Sequence, residues 1–196
     1  MKDVDGITYR TVKIGTQLWM AENLKVTHYR NGDLIRYVRD NDRWHLRTDG
    51  ACCAYKHDMK LSESPYGLLY NWYVVNDSRG LAPEGWHIPS DEEWQTLVDY
   101  LGGNSIGGGK MKESGTNHWL SSNAEATNES SFSALSGGYR VSNGNFFGMD
   151  YYADFWSSTE YSSGSAWYRH LFYNYSGVYR GYGNKRYGFS IRCVKD

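Results

Sequence analysis

Two short motifs frame the C-terminal quarter of the chain: Trp156-Ser157-Ser158-Thr159-Glu160-Tyr161 and Gly188-Phe189-Ser190-Ile191-Arg192-Cys193. Tyr, Ser, Asn, Gly, His and Arg are concentrated between them, and nine of the eighteen tyrosines follow residue 150. Tyr and Trp supply large contact areas at a low cost in conformational entropy, while Ser, Gly and Asn supply adaptable hydrogen bonds. This composition is typical of a recognition surface, whereas catalysis would require other residue types.

Length and composition predict one soluble domain, residues 1–196, without a strong electrostatic field. A chain of 196 residues with 40% hydrophobic content can bury one full core. The formal net charge of -1 gives nucleic acid and anionic lipid little attraction, because basic and acidic residues are interspersed. No apolar run approaches the roughly 20 residues that span a bilayer, so we expect no direct membrane insertion. We also expect a monomer.

Three cysteines leave two arrangements open. Either Cys52 or Cys53 forms a disulfide with Cys193, closing a loop of about 140 residues, or all three are buried thiols. Adjacent cysteines do not match a zinc motif, and the six histidines are dispersed. The Asp40-Asn41-Asp42 run lacks the spacing of an EF-hand. We therefore expect no metal and no other cofactor.

The N-terminal half contains one clear β-hairpin. Ile7–Ile14 alternates as a half-buried strand does, and Gly15-Thr16-Gln17 turns the chain toward Leu18-Trp19-Met20. Thr27–Lys60 is polar and aperiodic, which indicates a surface excursion with short strands at most. Apolar residues around much of the circumference of Tyr66–Val75 predict a short helix buried against a sheet.

A second helix is specified more sharply, near residues 91–101. Ser90 and Glu93 form a capping-box pattern, which predicts the start of the helix, and an apolar stripe follows. Gly102-Gly103 predicts the end of the helix. His87, just ahead of the cap, is expected to be a buried, hydrogen-bonded imidazole. The run Gly107–Lys110 lacks the ending of a phosphate loop and is expected to be a flexible turn. The strand candidates farther along the chain are Phe132–Leu135, Ala153–Trp156, Ala166–Leu171 and Phe189–Arg192.

Seven blocks, in order, carry a family resemblance: Gly6–Gly15, Trp19–Leu24, Tyr66–Trp72, Gly85–Trp94, Phe132–Leu135, Phe155–Tyr161 and Gly188–Val194. On these blocks the chain resembles the Fibrobacter succinogenes major paralogous domain family over nearly its whole length. The resemblance implies an α+β, C-type-lectin-like fold. In that fold two helices pack on small antiparallel sheets, the termini lie together, and a loop-rich half presents the ligand. Members are mostly bacterial surface proteins or lipoproteins.

Two further resemblances bear on activity. The Gly85–Trp94 block is similar to the signature of the formylglycine-generating enzyme superfamily, whose catalysis uses a pair of reactive cysteines near the C-terminus. This chain has Cys193 alone in that region, so an oxidase would have to bring Cys52 or Cys53 to it. The variable proteins of diversity-generating retroelements display a hypervariable C-terminal patch of Tyr, Asn and Ser on the same fold.

The candidate ligand-binding residues interleave with the framing motifs: Ser162, Ser163, Ser165, Trp167, His170, Phe172, Asn174, Tyr175, Tyr179, Tyr182, Asn184 and Tyr187. An alternative interpretation is that Trp167, Phe172 and Tyr173 alternate into a sheet core. The tyrosines as a group favour a surface, because one small core edge cannot bury so many with every hydroxyl satisfied.

These observations predict a non-enzymatic recognition module that binds a protein or glycan ligand. It would act at the cell surface or outside the cell as an adhesin or a retroelement variable protein, or on a phage particle. Met1–Asp5 lacks a hydrophobic signal core, so either the protein stays inside the cell or a leader and any anchor have been removed. The first alternative is a structural or assembly subunit of a bacterial surface fimbria or lipoprotein. The second, less favoured alternative is an oxidase.

Overall fold

The computed structural model describes residues 1–60 and 65–196. Helices and strands up to residue 111 are β1 (Thr11–Ile14), β2 (Gln17–Met20), β3 (Arg36–Tyr37), α1 (Asn41–His45), β4 (Ala51–Cys53), a 3-10 turn (Tyr55–His57), β5 (Leu69–Tyr70), α2 (Trp72–Val75), β6 (Trp86–His87), α3 (Asp91–Tyr100) and α4 (Gly107–Met111). The remaining strands are β7 (Gly137–Arg140), β8 (Phe146–Met149), β9 (Tyr152–Ser162), β10 (Ser165–Phe172), β11 (Tyr179–Asn184) and β12 (Val194–Lys195). Short helices and several small sheets make this an α+β protein.

The first sheet joins the two ends of the chain. Its strand order is β1-β2-β12-β6, and the predicted hairpin of β1 and β2 is confirmed. Gly15 makes the turn with a φ of 58°, a conformation that glycine adopts without steric cost. Val194 of β12 pairs with Trp19 on one side and His87 on the other. The C-terminal strand therefore lies inside the sheet that the N-terminal hairpin begins.

Helix α3 forms as the capping pattern predicts. The Ser90 hydroxyl accepts a hydrogen bond from the Glu93 backbone N–H at 3.1 Å, and the Glu93 carboxylate accepts one from the Ser90 N–H at 2.8 Å. The helix ends at Tyr100, after which Gly102 and Gly103 both have positive φ. Its apolar stripe is buried, and the prediction of a helix near residues 91–101 is confirmed.

The predicted helix at Tyr66–Val75 is wrong over most of its length. Leu69 and Tyr70 form a strand that pairs with Cys53 and Cys52, and only Trp72–Val75 is helical. Asn71 separates the two, because its side-chain oxygen accepts from the Val74 N–H as a helix N-cap and from the Ala51 N–H of β4. The apolar residues on all sides reflect burial in a sheet, which periodicity alone does not distinguish from a helix.

The segment Thr27–Lys60 has only short strands, as predicted, but it does not lie wholly at the surface. Strand β4 lies between β3 and β5 and is buried along its length, and Trp44 of α1 is also buried. Arg140 anchors the segment from far along the chain, with its guanidinium 4.4 Å from the Trp44 ring centre and its Nη1 donating to the Val38 carbonyl at 2.6 Å. A partner about a hundred positions away leaves no local periodicity in the sequence.

The glycine run at 107–110 is a helix rather than a flexible turn. A Cβ on Gly108 would lie 2.1 Å from the Gly177 carbonyl oxygen, and one on Gly109 would lie 2.4 Å from that of Glu125. Glycine is therefore required because α4 packs directly against two other backbones. Hydrogen bonds from the Gly109 N–H to the Ser176 carbonyl and from the Thr127 N–H to the Gly109 carbonyl join α4 to these two segments.

The C-terminal sheet has the order β11-β10-β9, and β7 pairs with β8 beside it. The predicted strands at Ala153–Trp156 and Ala166–Leu171 are confirmed within β9 and β10. Phe132–Leu135 and Phe189–Arg192 are wrong as strands, because they form only isolated bridges such as Ala134 with Lys112 and Ser190 with Phe155. Both are largely buried connections between sheets.

Aromatic side chains fill the core beneath α3. We call Trp19, Trp94, Phe132 and Phe155 the inner ring cluster; their ring centres lie 4.8 to 5.9 Å apart where they touch. Arg192 lies on it, 4.6 Å from the Phe132 ring centre. Among residues 1–60 and 65–196, no helix has both the length and the apolar character needed to cross a membrane.

Candidate functional site

The predicted ligand-binding residues follow the β9–β10–β11 strands, and strand geometry divides them. Trp167 and Tyr182 are register partners, as are His170 and Tyr179. Because successive side chains of a strand point to opposite faces, these two pairs lie on opposite faces of the sheet. The twelve residues therefore do not form one continuous surface.

Six of the twelve gather at one end of the sheet, around the turn between β9 and β10: Ser162, Ser163, Ser165, Trp167, Tyr182 and Asn184. Ser165 pairs with both Ser162 and Asn184 across the strands. The serines and the asparagine thus border the Trp167 and Tyr182 rings. This arrangement puts hydrogen-bonding groups around an aromatic centre.

We call Tyr161, Trp167 and Tyr182 the platform. The Tyr161 and Tyr182 rings are stacked, 4.1 Å apart between centres and 12° from parallel, and Trp167 meets Tyr161 edge-on at 4.8 Å. Tyr161 is 48% exposed and Tyr182 57%. Sequence reasoning missed Tyr161 as a contact residue by assigning it to a framing motif. Its place one residue before the predicted Ser162 was the signal that could have found it.

Arg180 contacts the platform through Trp167, and the first residue of α3 contacts Arg180. The Arg180 guanidinium lies 3.5 Å from the Trp167 ring centre, and its Nη2 contacts the Asp91 carboxylate at 2.7 Å. Asp91, the first residue of α3, also accepts a hydrogen bond at 2.6 Å from the buried Arg169. Burial by itself raises the pKa of Asp91, but the hydrogen bonds from Arg180 and Arg169 outweigh it and hold that pKa below its usual value. The carboxylate therefore stays charged and fixes Arg180 in place.

His170, a predicted contact residue, is buried instead. It is 8% exposed, and its Nδ1 lies 2.5 Å from the carboxylate of Asp154, which is also buried. Burial raises the pKa of Asp154, although the contact with His170 opposes the shift. The Tyr152 and Phe172 rings pack against the His170 ring at 5.0 and 3.9 Å between centres. His170 thus belongs to the structure beneath the surface.

The other predicted residues lie away from the platform. Tyr179 is 55% exposed on the opposite face, and Asn174 and Tyr175 are exposed in the connection between β10 and β11. That connection is at the far end of an eight-residue strand, roughly 20 Å from the platform. Tyr187 is half-buried, with its ring centre 5.8 Å from that of Phe189.

The cysteines do not form the disulfide that the sequence left open. Cys52, Cys53 and Cys193 are free and buried. Burial raises the pKa of each thiol, that of Cys53 to about 12. All three are therefore protonated at neutral pH, and a protonated thiol is a poor nucleophile and metal ligand. In the described part of the chain, no three His, Cys, Asp or Glu side chains are placed to hold a metal ion.

A concave region that the sequence did not indicate lies beside β8. This cavity of about 680 Å³ has walls of Tyr55, Phe147, Met149 and Tyr151, with Lys56 and Asp150 among its polar groups. Its size and aromatic walls are those of small-molecule sites. It is a second surface at which a ligand could contact aromatic rings.

Comparison with protein families gives a match over most of the chain. The model of the Fibrobacter succinogenes major domain matches residues 12–195. Comparison with curated proteins and with solved structures gives no match.

Proposed function

The chain belongs to the Fibrobacter succinogenes major domain family, and we propose that it is a non-enzymatic recognition module whose platform binds a protein or glycan ligand. The observation that carries the proposal is the exposed stack of Tyr161 on Tyr182 beside Trp167. Exposed large rings in one contiguous group are uncommon on proteins without a partner. Tyr, Trp and Arg are also the residues that dominate binding energy at interfaces.

Rigidity supports a binding role for the platform. Arg180 is bonded to Asp91 through both Nε and Nη2, and Asp91 is the first residue of a capped helix. Side chains that are already ordered lose less conformational entropy when a ligand arrives. A sugar would stack its apolar face on a tyrosine ring, whereas a protein would use the rings as a central anchor. Ser162 and Asn184 would supply hydrogen bonds at the edge in either case.

We further propose a C-type-lectin-like arrangement and a location at the cell surface or outside the cell. The pairing of β12 with β2 and the packing of α3 on small sheets support the arrangement. The module would act as an adhesin, a surface lipoprotein or a retroelement variable protein, including one carried on a phage particle. It would be a monomer that inserts into no membrane and binds no nucleic acid.

The test is a binding screen on arrays of cell-wall polysaccharides and bacterial surface proteins. We expect the unmodified chain to bind a ligand and the Tyr161→Ala/Tyr182→Ala variant to lose that binding. The matched control is Tyr100→Ala/Leu34→Ala, which removes two exposed hydrophobic side chains elsewhere. Thermal melting of both variants checks that they are folded. Retention of binding by the platform variant, or equal loss in the control, would contradict the proposal.

The alternative is an assembly subunit, in which the platform contacts a neighbouring subunit. It would show as a platform-dependent oligomer in light scattering, with no bound ligand on either array. An oxidase is tested separately by titrating the thiols. We expect Cys52, Cys53 and Cys193 to react with a thiol reagent only after denaturation, because all three are buried. Two thiols that react rapidly in the native protein would favour the oxidase.

A further inference from the structure

Four arginines meet at a cavity in the region of α1. Arg36, Arg39, Arg43 and Arg47 line a space of about 630 Å³, and Tyr37 forms part of its wall. Among the described residues that line this space, Asp40 is the one carboxylate. The volume is that of a small-molecule site. A chain with a net charge of -1 thus concentrates positive charge in one concavity.

Part of this charge is not paired with a carboxylate inside the protein. Arg36 and Arg47 share Asp49, at 4.0 and 3.3 Å. Within residues 1–60 and 65–196, neither Arg39 nor Arg43 has a carboxylate within ion-pair distance. The Asp40 carboxylate is engaged as the N-cap of α1, accepting from the Arg43 backbone N–H at 2.8 Å. Two guanidinium groups are therefore available to an incoming anion.

The backbone that carries these arginines is held rigidly. The buried Arg140 donates from Nη1 to the Val38 carbonyl at 2.6 Å, and from Nη2 to the Arg39 carbonyl at 3.0 Å and the Asn41 side-chain oxygen at 2.9 Å. Its guanidinium also stacks on Trp44 and Phe146. Five hydrogen bonds from this one buried residue go to this stretch and to the Gly144 carbonyl in the neighbouring turn, so the backbone of the site is fixed before any ligand arrives.

Arg47 is the least exposed of the four arginines. Its Nε is buried and has no hydrogen-bond partner, while its backbone carbonyl accepts from Arg186 at 3.0 Å. A buried donor without an acceptor costs free energy. Because this Nε is enclosed by protein, Arg47 contributes its charge to the cavity but not this donor.

We propose that this cavity binds a compact saccharide that carries at least two oxyanion groups, either sulfates or carboxylates. The planar guanidinium fork matches such groups with paired hydrogen bonds. Tyr37 in the wall gives the sugar ring a surface to lie against. The nearly neutral net charge disfavours a long polyanion such as nucleic acid. The cavity and the platform have no residue in common, so each proposal is tested by its own variants.

The experiment is calorimetric titration of the full chain with a disulfated heparin disaccharide, with digalacturonate and with inorganic pyrophosphate. We expect one of the saccharides to bind, with an affinity that falls as salt rises. The Arg39→Gln/Arg43→Gln variant should weaken that binding by about tenfold or more, since two charge-assisted contacts are lost. The control Arg10→Gln/Arg30→Gln removes two exposed arginines elsewhere and should bind as the unmodified chain does.

A further variant keeps the proposal testable if the glutamine variant melts early. Arg39→Lys/Arg43→Lys retains both charges and loses the planar fork, so we expect weaker saccharide binding with an unchanged melting temperature. Failure of both saccharides to bind would overturn the proposal. Binding of pyrophosphate alone, or equal weakening in the control variant, would overturn it as well.

Discussion

The inner ring cluster and the platform are built from similar parts and end in opposite environments. Each has aromatic rings in contact and an arginine on a ring face, Arg192 on Phe132 and Arg180 on Trp167. The rings of the inner ring cluster are Trp and Phe, and their only polar group is the indole N–H of Trp. It is hydrogen-bonded inside the protein, as when Trp94 donates to the Trp156 carbonyl. At the platform, Tyr161 and Tyr182 keep their hydroxyl-bearing rings in water. Composition alone does not separate a core from a contact surface.

The two arginines also differ in what they hold. Arg192 is completely buried and donates to the carbonyls of Phe132, Met20 and Ser133 and to the Asn23 side chain. Arg180 is 41% exposed in its side chain and bonds to one carboxylate. Arg192 therefore joins segments of the fold, whereas Arg180 positions a surface. Four predictions test or sharpen this contrast.

The largest expected effect comes from removing each arginine in turn. Arg192→Met should lower the free energy of unfolding by roughly 4 kcal/mol, because several buried acceptors lose their donor. Arg180→Met should cost less than about 1 kcal/mol, since an exposed ion pair contributes little. Urea denaturation of both variants measures the difference. Similar costs for the two would show that the contrast is wrong.

The second effect is expected at Asp91, which links the two regions. Asp91→Asn leaves Arg169 buried without its charged partner and should cost about 3 kcal/mol. Because its folded pKa lies below the unfolded value, the ionised form contributes stability above pH 4, and that contribution is lost as the pH falls through the folded pKa. Denaturation between pH 2 and pH 7 should show the difference from the unmodified chain shrinking toward acid. A difference that does not change with pH would contradict this role.

A smaller effect on stability is expected for three exposed tyrosines among the twelve candidate ligand-binding residues. Tyr175→Ala, Tyr179→Ala and Tyr182→Ala remove three exposed rings. Surface substitutions usually change stability by less than about 0.5 kcal/mol in either direction, so the triple variant should melt close to the unmodified chain. Since Tyr182 alone belongs to the platform, the single change at Tyr182 should account for most of the lost ligand binding. A large fall in melting temperature would place these rings in the core.

The smallest effect concerns His87, which was expected to be a buried imidazole and is instead 39% exposed in its side chain. Burial lowers the pKa of His87, but hydrogen bonds to Asp196 and Glu93, both 2.7 Å long, outweigh it and raise that pKa. The pKa of His87 is higher in the folded protein than the unfolded value of 6.5. The charged imidazole therefore contributes fully to the free energy of unfolding below pH 6.5, and this contribution is lost as the pH rises through the folded pKa.

We therefore expect His87→Gln to cost less than about 1 kcal/mol at pH 6 and still less at pH 9. Urea denaturation at the two pH values checks the sign. A cost that grows with pH would contradict the arrangement. Lys13→Gln, a substitution on the adjacent hairpin, serves as the control without a histidine.

Local patterns were enough where neighbours in sequence are also neighbours in space. The Ser90–Glu93 box and the Gly15 turn are such patterns, and both predictions are confirmed. Where the partner is distant, prediction failed. The Asn71 side-chain oxygen accepts a hydrogen bond from the Ala51 N–H, and this contact holds the residues before Asn71 in a strand where a helix was expected. Arg140 donates to the Val38 carbonyl, and this contact helps to bury the part of the polar segment that contains Trp44.

The candidate site shows the same division. The sequence located β9 and β10 and the tyrosine-rich character of the C-terminal quarter, but not β11. It could not assign each side chain to a face, because the bulges between Ser165 and Tyr168 shift the register of β10 against β9. Nor could it bring Arg36 and Arg47 into one cavity, since the chain between them turns through α1.

By itself, the sequence determined the family, the α+β class and the helix that organises the core, since capping, turn chemistry and motif order are local properties of the chain. Only the tertiary structure decided which aromatic rings and which arginines face water. That choice depends on what packs across from each side chain. Burial is a property of the assembled fold, so residues of the same type became a core in one place and a surface in another.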